Sequence, residues 1–222
     1  MLRLLLTLCL MTTSLASQAG VEIGGTRLIY QGNARQAAIS VNNPDGRPYL
    51  IQAWVDKDPS SADGDKTFIA TPPLFRLEPH SQNSVRVVYT GQPLPADRES
   101  MFWLSIKSVP STSKDETNHL LITVKSVIKL FYRPAGLSGN PVTAYEKLVF
   151  TRRGGKVYVS NPTPYHISFY DISVGGVQVK KPPTLKPLSE QAIDVPAGAS
   201  GSVSWRTVND FGGITDVRKT KI

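Results

Sequence analysis

Cysteine is almost absent from this sequence: among 222 residues only Cys9 is one. It lies in a segment that reads as a secretory signal. Arg3 opens it, an apolar stretch covers 4–11, and Ser17-Gln18-Ala19 supplies small residues for cleavage after Ala19. The apolar run is well short of the roughly 20 residues a membrane span needs. The chain that remains, 20–222, has no thiol nucleophile and no disulfide, so its own cores must hold it together. Histidine is scarce too. His80, His119 and His166 are isolated, without metal-ligand spacing, and no metal or cofactor is expected. No Gly-x-Ser-x-Gly elbow occurs, and the glycine pairs at 24–25, 154–155, 175–176 and 212–213 read as turns rather than phosphate cradles. Asp56 and Asp58 fall in a loop rich in Asp, Ser and Gly and read as solvated acids, not a catalytic pair. These absences exclude the common enzyme classes. The formal net charge is +8, yet no run of Lys and Arg is interleaved with aromatics, so nucleic acid is not expected. The charge serves either solubility or a partner with negative groups, such as carboxylates.

Helical periodicity is also missing. Seventeen prolines and seventeen glycines punctuate short stretches of alternating or β-branched and aromatic residues. Strands are expected at 37–41, 49–55, 84–89, 101–109, 120–132, 156–159 and 167–174, with weaker signals at 201–205 and 217–221. That pattern predicts an all-β protein of antiparallel sandwiches. Proline and glycine in Arg133-Pro134-Ala135-Gly136-Leu137-Ser138-Gly139-Asn140-Pro141 stop the longest strand and open a connection. The expected organisation is a signal over 1–19, one domain over 20–136 and a second over 137–222.

The most informative stretch is 119–131. As a continuous strand it would reach about 44 Å at roughly 3.4 Å per residue, more than twice the usual length. Leu120, Ile122 and Val124 share one face. They would serve as ordinary sandwich core, or as an apolar row that overhangs its own domain. An overhanging row invites strand addition by another chain. Lys129 has the opposite parity. A bulge or strong twist near 125–127 would aim it at the row's face; otherwise it serves a different surface.

Ile128-Lys129-Leu130-Phe131-Tyr132-Arg133-Pro134 closely resembles the signature of the periplasmic pilus chaperones of the chaperone–usher pathway. Further matches follow family order: Gly25-Thr26-Arg27-Leu28-Ile29-Tyr30, Gln52-Ala53-Trp54-Val55, Ala70-Thr71-Pro72-Pro73, Arg76-Leu77-Glu78-Pro79, Asp97-Arg98-Glu99-Ser100-Met101-Phe102-Trp103, Asn161-Pro162-Thr163-Pro164-Tyr165 and Asn209-Asp210-Phe211-Gly212-Gly213. The resemblance spans nearly all of 20–222.

It implies two immunoglobulin-like β-sandwich domains set as an L, acting in the periplasm. It implies that pilus subunits are bound and folded by donor-strand complementation, with their assembly surface capped, and are delivered to an outer-membrane usher. Leu120, Ile122 and Val124 match the donor row, and Arg27 and Lys129 the pair that anchors the subunit's terminal carboxylate. Glu99, Arg133 and Asp210 match a charge cluster that spans the domains and sets their angle. A self-capping homodimer of the free protein is compatible with the same exposed edge. The polar loop 111–118 is short, as in the short-loop branch of the family. The alternative from another class is a secreted adhesion or carbohydrate-binding sandwich, which would use loops and aromatics at a sandwich end.

Overall fold

The computed structural model describes residues 20–61, 64–112, 120–195 and 199–222. The signal expected over 1–19, with Cys9, lies outside them, as do His119 and most of the polar loop.

The first half of the described chain forms nine strands: β1 (Glu22–Ile23), β2 (Arg27–Gln31), β3 (Ala37–Asn43), β4 (Tyr49–Asp56), β5 (Phe68–Thr71), β6 (Leu74–Leu77), β7 (Ser81–Tyr89), β8 (Ser100–Pro110) and β9 (Val124–Arg133). They build two sheets, β1-β3-β7-β5 and β2-β9-β8-β4-β6. Period-two alternation makes each strand two-faced. In β4, Tyr49, Ile51, Ala53 and Val55 are buried while Leu50 and Gln52 are exposed. The inward rows of both sheets meet in one core, where Ile51, Val85, Leu104 and Leu130 are fully buried. Each such side chain contributes roughly 1.5–3 kcal/mol relative to exposure.

After the linker, a single 3₁₀ turn (Ala144–Lys147) precedes β10 (Val149–Arg153), β11 (Lys156–Asn161), β12 (Ile167–Val174), β13 (Val177–Gln178), β14 (Thr184–Leu185), β15 (Ser189–Ile193), β16 (Ser202–Thr207) and β17 (Arg218–Lys221). One sheet runs β10-β11-β15; the other runs β13-β12-β16-β17, with β14 also on β12. Val157, Val159, Ile172, Leu185 and Val203 form a second, separate core. The protein is therefore an all-β chain of two sandwiches.

Both sandwiches use one device at a strand end. Asn43 is fully buried and donates to the carbonyls of Arg47 (2.9 Å) and Glu78 (2.8 Å). Asn161 does the same to Tyr165 (2.7 Å) and Lys186 (3.0 Å). A buried amide with satisfied bonds ties a loop without leaving backbone oxygens orphaned.

One expectation needs correcting. Asp56 is not solvated: it is only 3% exposed at the end of β4, where its Oδ1 accepts from the Gly64 amide at 2.9 Å. It organises the loop that follows. Asp58 is exposed and accepts from Ser60, as a loop acid does.

Two pairings of β9 position the site. It pairs antiparallel with β8 over all but its last residue, from Val124↔Ser108 to Tyr132↔Ser100. It pairs parallel with β2, but only from Arg27↔Lys129 to Gln31↔Arg133. Gly32 lets this lane close against the linker: a Cβ there would lie 3.0 Å from the Arg133 carbonyl and Pro134 Cα.

Candidate functional site: a free sheet edge ending at two cations

The unbroken β8–β9 register decides the parity question. There is no bulge at 125–127, so residues of even number keep one face throughout. On that face Leu130 and Ile128 are buried in the core. The same row then runs beyond the core: Val124 is 49% exposed, Ile122 63% and Leu120 85%. The row is not ordinary core; it overhangs the sandwich. Ile122 and Val124 open instead onto a shallow depression shared with Tyr49 and Arg47.

The strand expected over 119–131 begins later and ends later than anticipated, at Val124 and Arg133. Residues 120–123 have no ladder partner: the last β8–β9 pair is Ser108↔Val124, and Val109 and Pro110 of β8 pair only with β4. Strand pattern in a sequence reports side-chain alternation; a ladder also needs a neighbour.

The second edge of β9 is more telling. β2 covers it only from Lys129 onward. Among the described residues no strand pairs with the Val124–Ile128 side of that edge. A row of backbone donors and acceptors is thus left open directly beside an exposed apolar row.

Where the open edge ends, the two cations stand opposite each other in the β2–β9 ladder. Lys129 faces away from the row of Leu120, Ile122 and Val124, toward the second sandwich. Its Nζ donates to Thr184 Oγ1 (2.5 Å) and Ser168 Oγ (3.2 Å). Arg27 Nη1 donates to the Val208 carbonyl at 2.8 Å, and its guanidinium lies 5.9 Å from the Phe131 ring centre. Arg27 Nε is buried with no acceptor. Burial pushes the Lys129 pKa down, and the charge of Arg27 pushes it further. Burial also lowers that of Arg27, against the attraction of Asp210 and Glu99. Both cations are thus held by neutral oxygens, with donor capacity unspent. Such a pair strongly favours an arriving anion, and a carboxylate accepts from both arms.

The two nearby acids are already engaged. Arg133 Nε donates to Glu99 Oε1 (2.7 Å), while Nη1 and Nη2 grip the two Asp210 oxygens at 2.7 and 3.0 Å. Burial works against the arginine's charge, but bonding to Asp210 and Glu99 outweighs it and holds its pKa above the ordinary range. The three charges are one unit joining the sandwiches. They are also far from superficial: the side chains of Glu99 and Arg133 are 2% and 11% exposed.

Residues to which the sequence assigned no role complete the junction around Glu99 and Arg133. Glu99 Oε2 accepts from the His166 amide at 2.7 Å, and the His166 ring packs against Phe131. Tyr165 lies under the Arg133 guanidinium. Ser168, Thr184 and Val208, which orient the cations, come from distant parts of the second sandwich. Only Phe131 and Tyr165 carried a trace of this role, as members of matched motifs.

Comparison with known proteins agrees with this architecture. Residues 20–138 match the family described as pili and flagellar-assembly chaperone, PapD N-terminal domain. Residues 143–219 match pili assembly chaperone PapD, C-terminal domain. The probable fimbrial chaperone SfmC of Escherichia coli K12 is 35% identical over 226 residues, covering 100% of this chain and 97% of that protein. The probable fimbrial chaperone protein ElfD of Escherichia coli O157:H7 is 43% identical, covering 92% and 88%. Among solved structures, the SafB chaperone of Salmonella enterica, in complex with the SafA pilin, superposes with a TM-score of 0.82 at 32% identity, covering 91% and 96%.

Proposed function

The chain belongs to the pili assembly chaperones, a non-enzymatic family of periplasmic proteins, and from that premise we propose that it captures pilus subunits by adding its β9 edge to them. The observation that carries this reading is the coincidence of three features on one strand. An open backbone edge, an exposed row of Leu120, Ile122 and Val124, and a cation pair at the edge's inner end lie in line. Donor-strand complementation of pilins is an established form of strand addition.

The reading also implies a direction. A chain whose terminal carboxylate sits at Arg27 and Lys129, and whose preceding residues lie along 128–124, runs parallel to β9. It fills the lane that β2 occupies further along. Backbone bonds supply general adhesion and the apolar row completes the subunit's interior. Three such side chains contribute about 5–9 kcal/mol before ordering costs. Fixing the chain end sets register, because a slip of one residue would present the wrong face.

The rest of the family cycle follows from the same reading. The protein is exported by cleavage after Ala19 and folds as domains 20–136 and 137–222. It caps the subunit's assembly surface and delivers the subunit to an outer-membrane usher. A carbohydrate-binding module would gather aromatics at a sandwich end; here the exposed apolar row is aliphatic and lies along an edge.

The test is Ile122→Asp. Its expected result is a loss of subunit affinity of at least about tenfold, since a charge replaces a side chain worth roughly 1.5–3 kcal/mol on burial. The melting temperature stays unchanged, because Ile122 is 63% exposed in the free protein. A variant that unfolds, or that binds subunits normally, counts against the proposal. The free protein should also self-associate through this edge at high concentration. Sedimentation checks this: Ile122→Asp abolishes the dimer, and a wild type monomeric throughout would rule the dimer out.

A further inference from the structure

The loop after β16 displays an aromatic side chain that subunit capture, as described, leaves unused. Phe211 is 93% exposed. The loop that carries it is tightly bonded. Asn209 Oδ1 accepts from the amides of Phe211 (3.0 Å) and Gly213 (2.9 Å), and the Gly212 amide donates to the Asn209 carbonyl (3.0 Å). Both arms of the turn touch the cation site. On one side the Val208 carbonyl holds Arg27. On the other, Gly212 lies so close to Thr26 that a Cβ would come within 2.8 Å of its Oγ1. Asp210, between them, is gripped by Arg133. Further apolar surface flanks a crevice lined by Arg27, Asn209 and Asp210. Val142 lines it beside Asn209 and Asp210 and is 60% exposed. Ile214, paired with Val208, is 47% exposed.

A rigid loop that keeps a phenylalanine in water forgoes the burial that ordinarily stabilises such a side chain. On the proposed reading, the cation pair recognises a main-chain carboxylate, which every polypeptide has. We propose that Phe211 is a specificity residue for the captured chain end, packing against an apolar side chain among the last few residues of the segment whose carboxylate Arg27 and Lys129 hold. This rests on the carboxylate-anchor reading and adds a side-chain requirement to it. The occupant is a peptide terminus because the loop that carries the ring packs on Thr26 and holds Arg27 through the Val208 carbonyl. Preorganised aromatics of this kind lose little entropy on binding and commonly act as hot spots.

The experiment uses synthetic peptides of alternating apolar and polar residues with a free terminal carboxylate. The last few positions are serine, or serine with a single leucine at one of them. Each is titrated against the wild type and Phe211→Ser. Leucine at one position is expected to tighten wild-type binding about tenfold, and the gain should fall below about twofold in the variant. The all-serine peptide should bind both proteins alike. A leucine gain of equal size in both proteins, or no gain at any position, overturns the proposal. The amidated all-serine peptide reports on the anchor separately: if it binds as well as the acid, the carboxylate reading fails whatever leucine does. Phe211→Ser leaves the turn intact, since its bonds run through the main chain and Asn209.

Discussion

Replacing Arg27 or Lys129 by alanine is expected to weaken binding of a peptide copying a subunit's terminal strand by about thirtyfold or more, with little change in melting temperature. The first half of that expectation is electrostatic. Removing one member of a desolvated, hydrogen-bonded charge pair costs about 2–5 kcal/mol, and about 2 kcal/mol is already some thirtyfold. The second half comes from what the cations do in the free protein. Each is partly buried against neutral oxygens, and each has its pKa lowered by burial.

For Lys129 the linkage is clear in sign. Folding disfavours its charged form, so the penalty is present while the pH is below its folded pKa and is relieved as the pH rises through it. Lys129→Met removes that penalty and gives up the bonds to Thr184 and Ser168, which leaves stability close to the wild type. Carboxylate binding, which needs the charge, should weaken as the pH rises into the alkaline range. The control is the same peptide amidated: wild type should prefer the free acid, and Arg27→Ala should not. Equal binding of acid and amide by the wild type would remove the anchor from the account. A variant that unfolds would make these residues structural.

Arg133→Ala is expected to cost about 3–5 kcal/mol of stability, the range for breaking a buried ion pair from one side. For a chain of this size that is roughly 6–20 °C in melting temperature. The cost comes from what is left behind. The Glu99 side chain is 2% exposed and would lose its guanidinium, keeping the His166 amide. Asp210 suffers less, because at 30% exposure it can be rehydrated. If the stranded charge is the cause, Glu99→Gln added to Arg133→Ala should recover part of the loss. Calorimetry on the three variants decides the matter. A loss below about 1 kcal/mol, the value of an exposed pair, would mean that the cluster only decorates the junction.

Much of this was legible from residue order. Alternation marked β3, β4, β7, β8, β9, β11 and β12, and more weakly β16 and β17, but not the short β5, β6, β10 and β15; the glycine- and proline-rich stretch after Arg133 marked where β9 gives way to the linker. The row of Leu120, Ile122 and Val124 stood out because it extends the parity of Ile128 and Leu130. Whether that row was core or overhang was not legible, since the same alternation serves both. The length of β9 was misjudged for a related reason: hydrogen-bonding partners do not appear in a strand's own sequence. The worth of the charge cluster was hidden because burial belongs to the assembled junction.

The amino-acid order alone determined that this chain is all-β, which residues of the long β9 segment share a face, and which side chains carry charge. These are local properties, set by a two-residue period and by side-chain chemistry. Tertiary structure alone decided that β2 stops covering β9 at Lys129, that Ser168, Thr184 and Val208 converge on the cations, and that the loop carrying Phe211 packs on Thr26. Such facts depend on segments far apart in the chain meeting across a sheet edge or a domain junction, and no local pattern encodes that meeting.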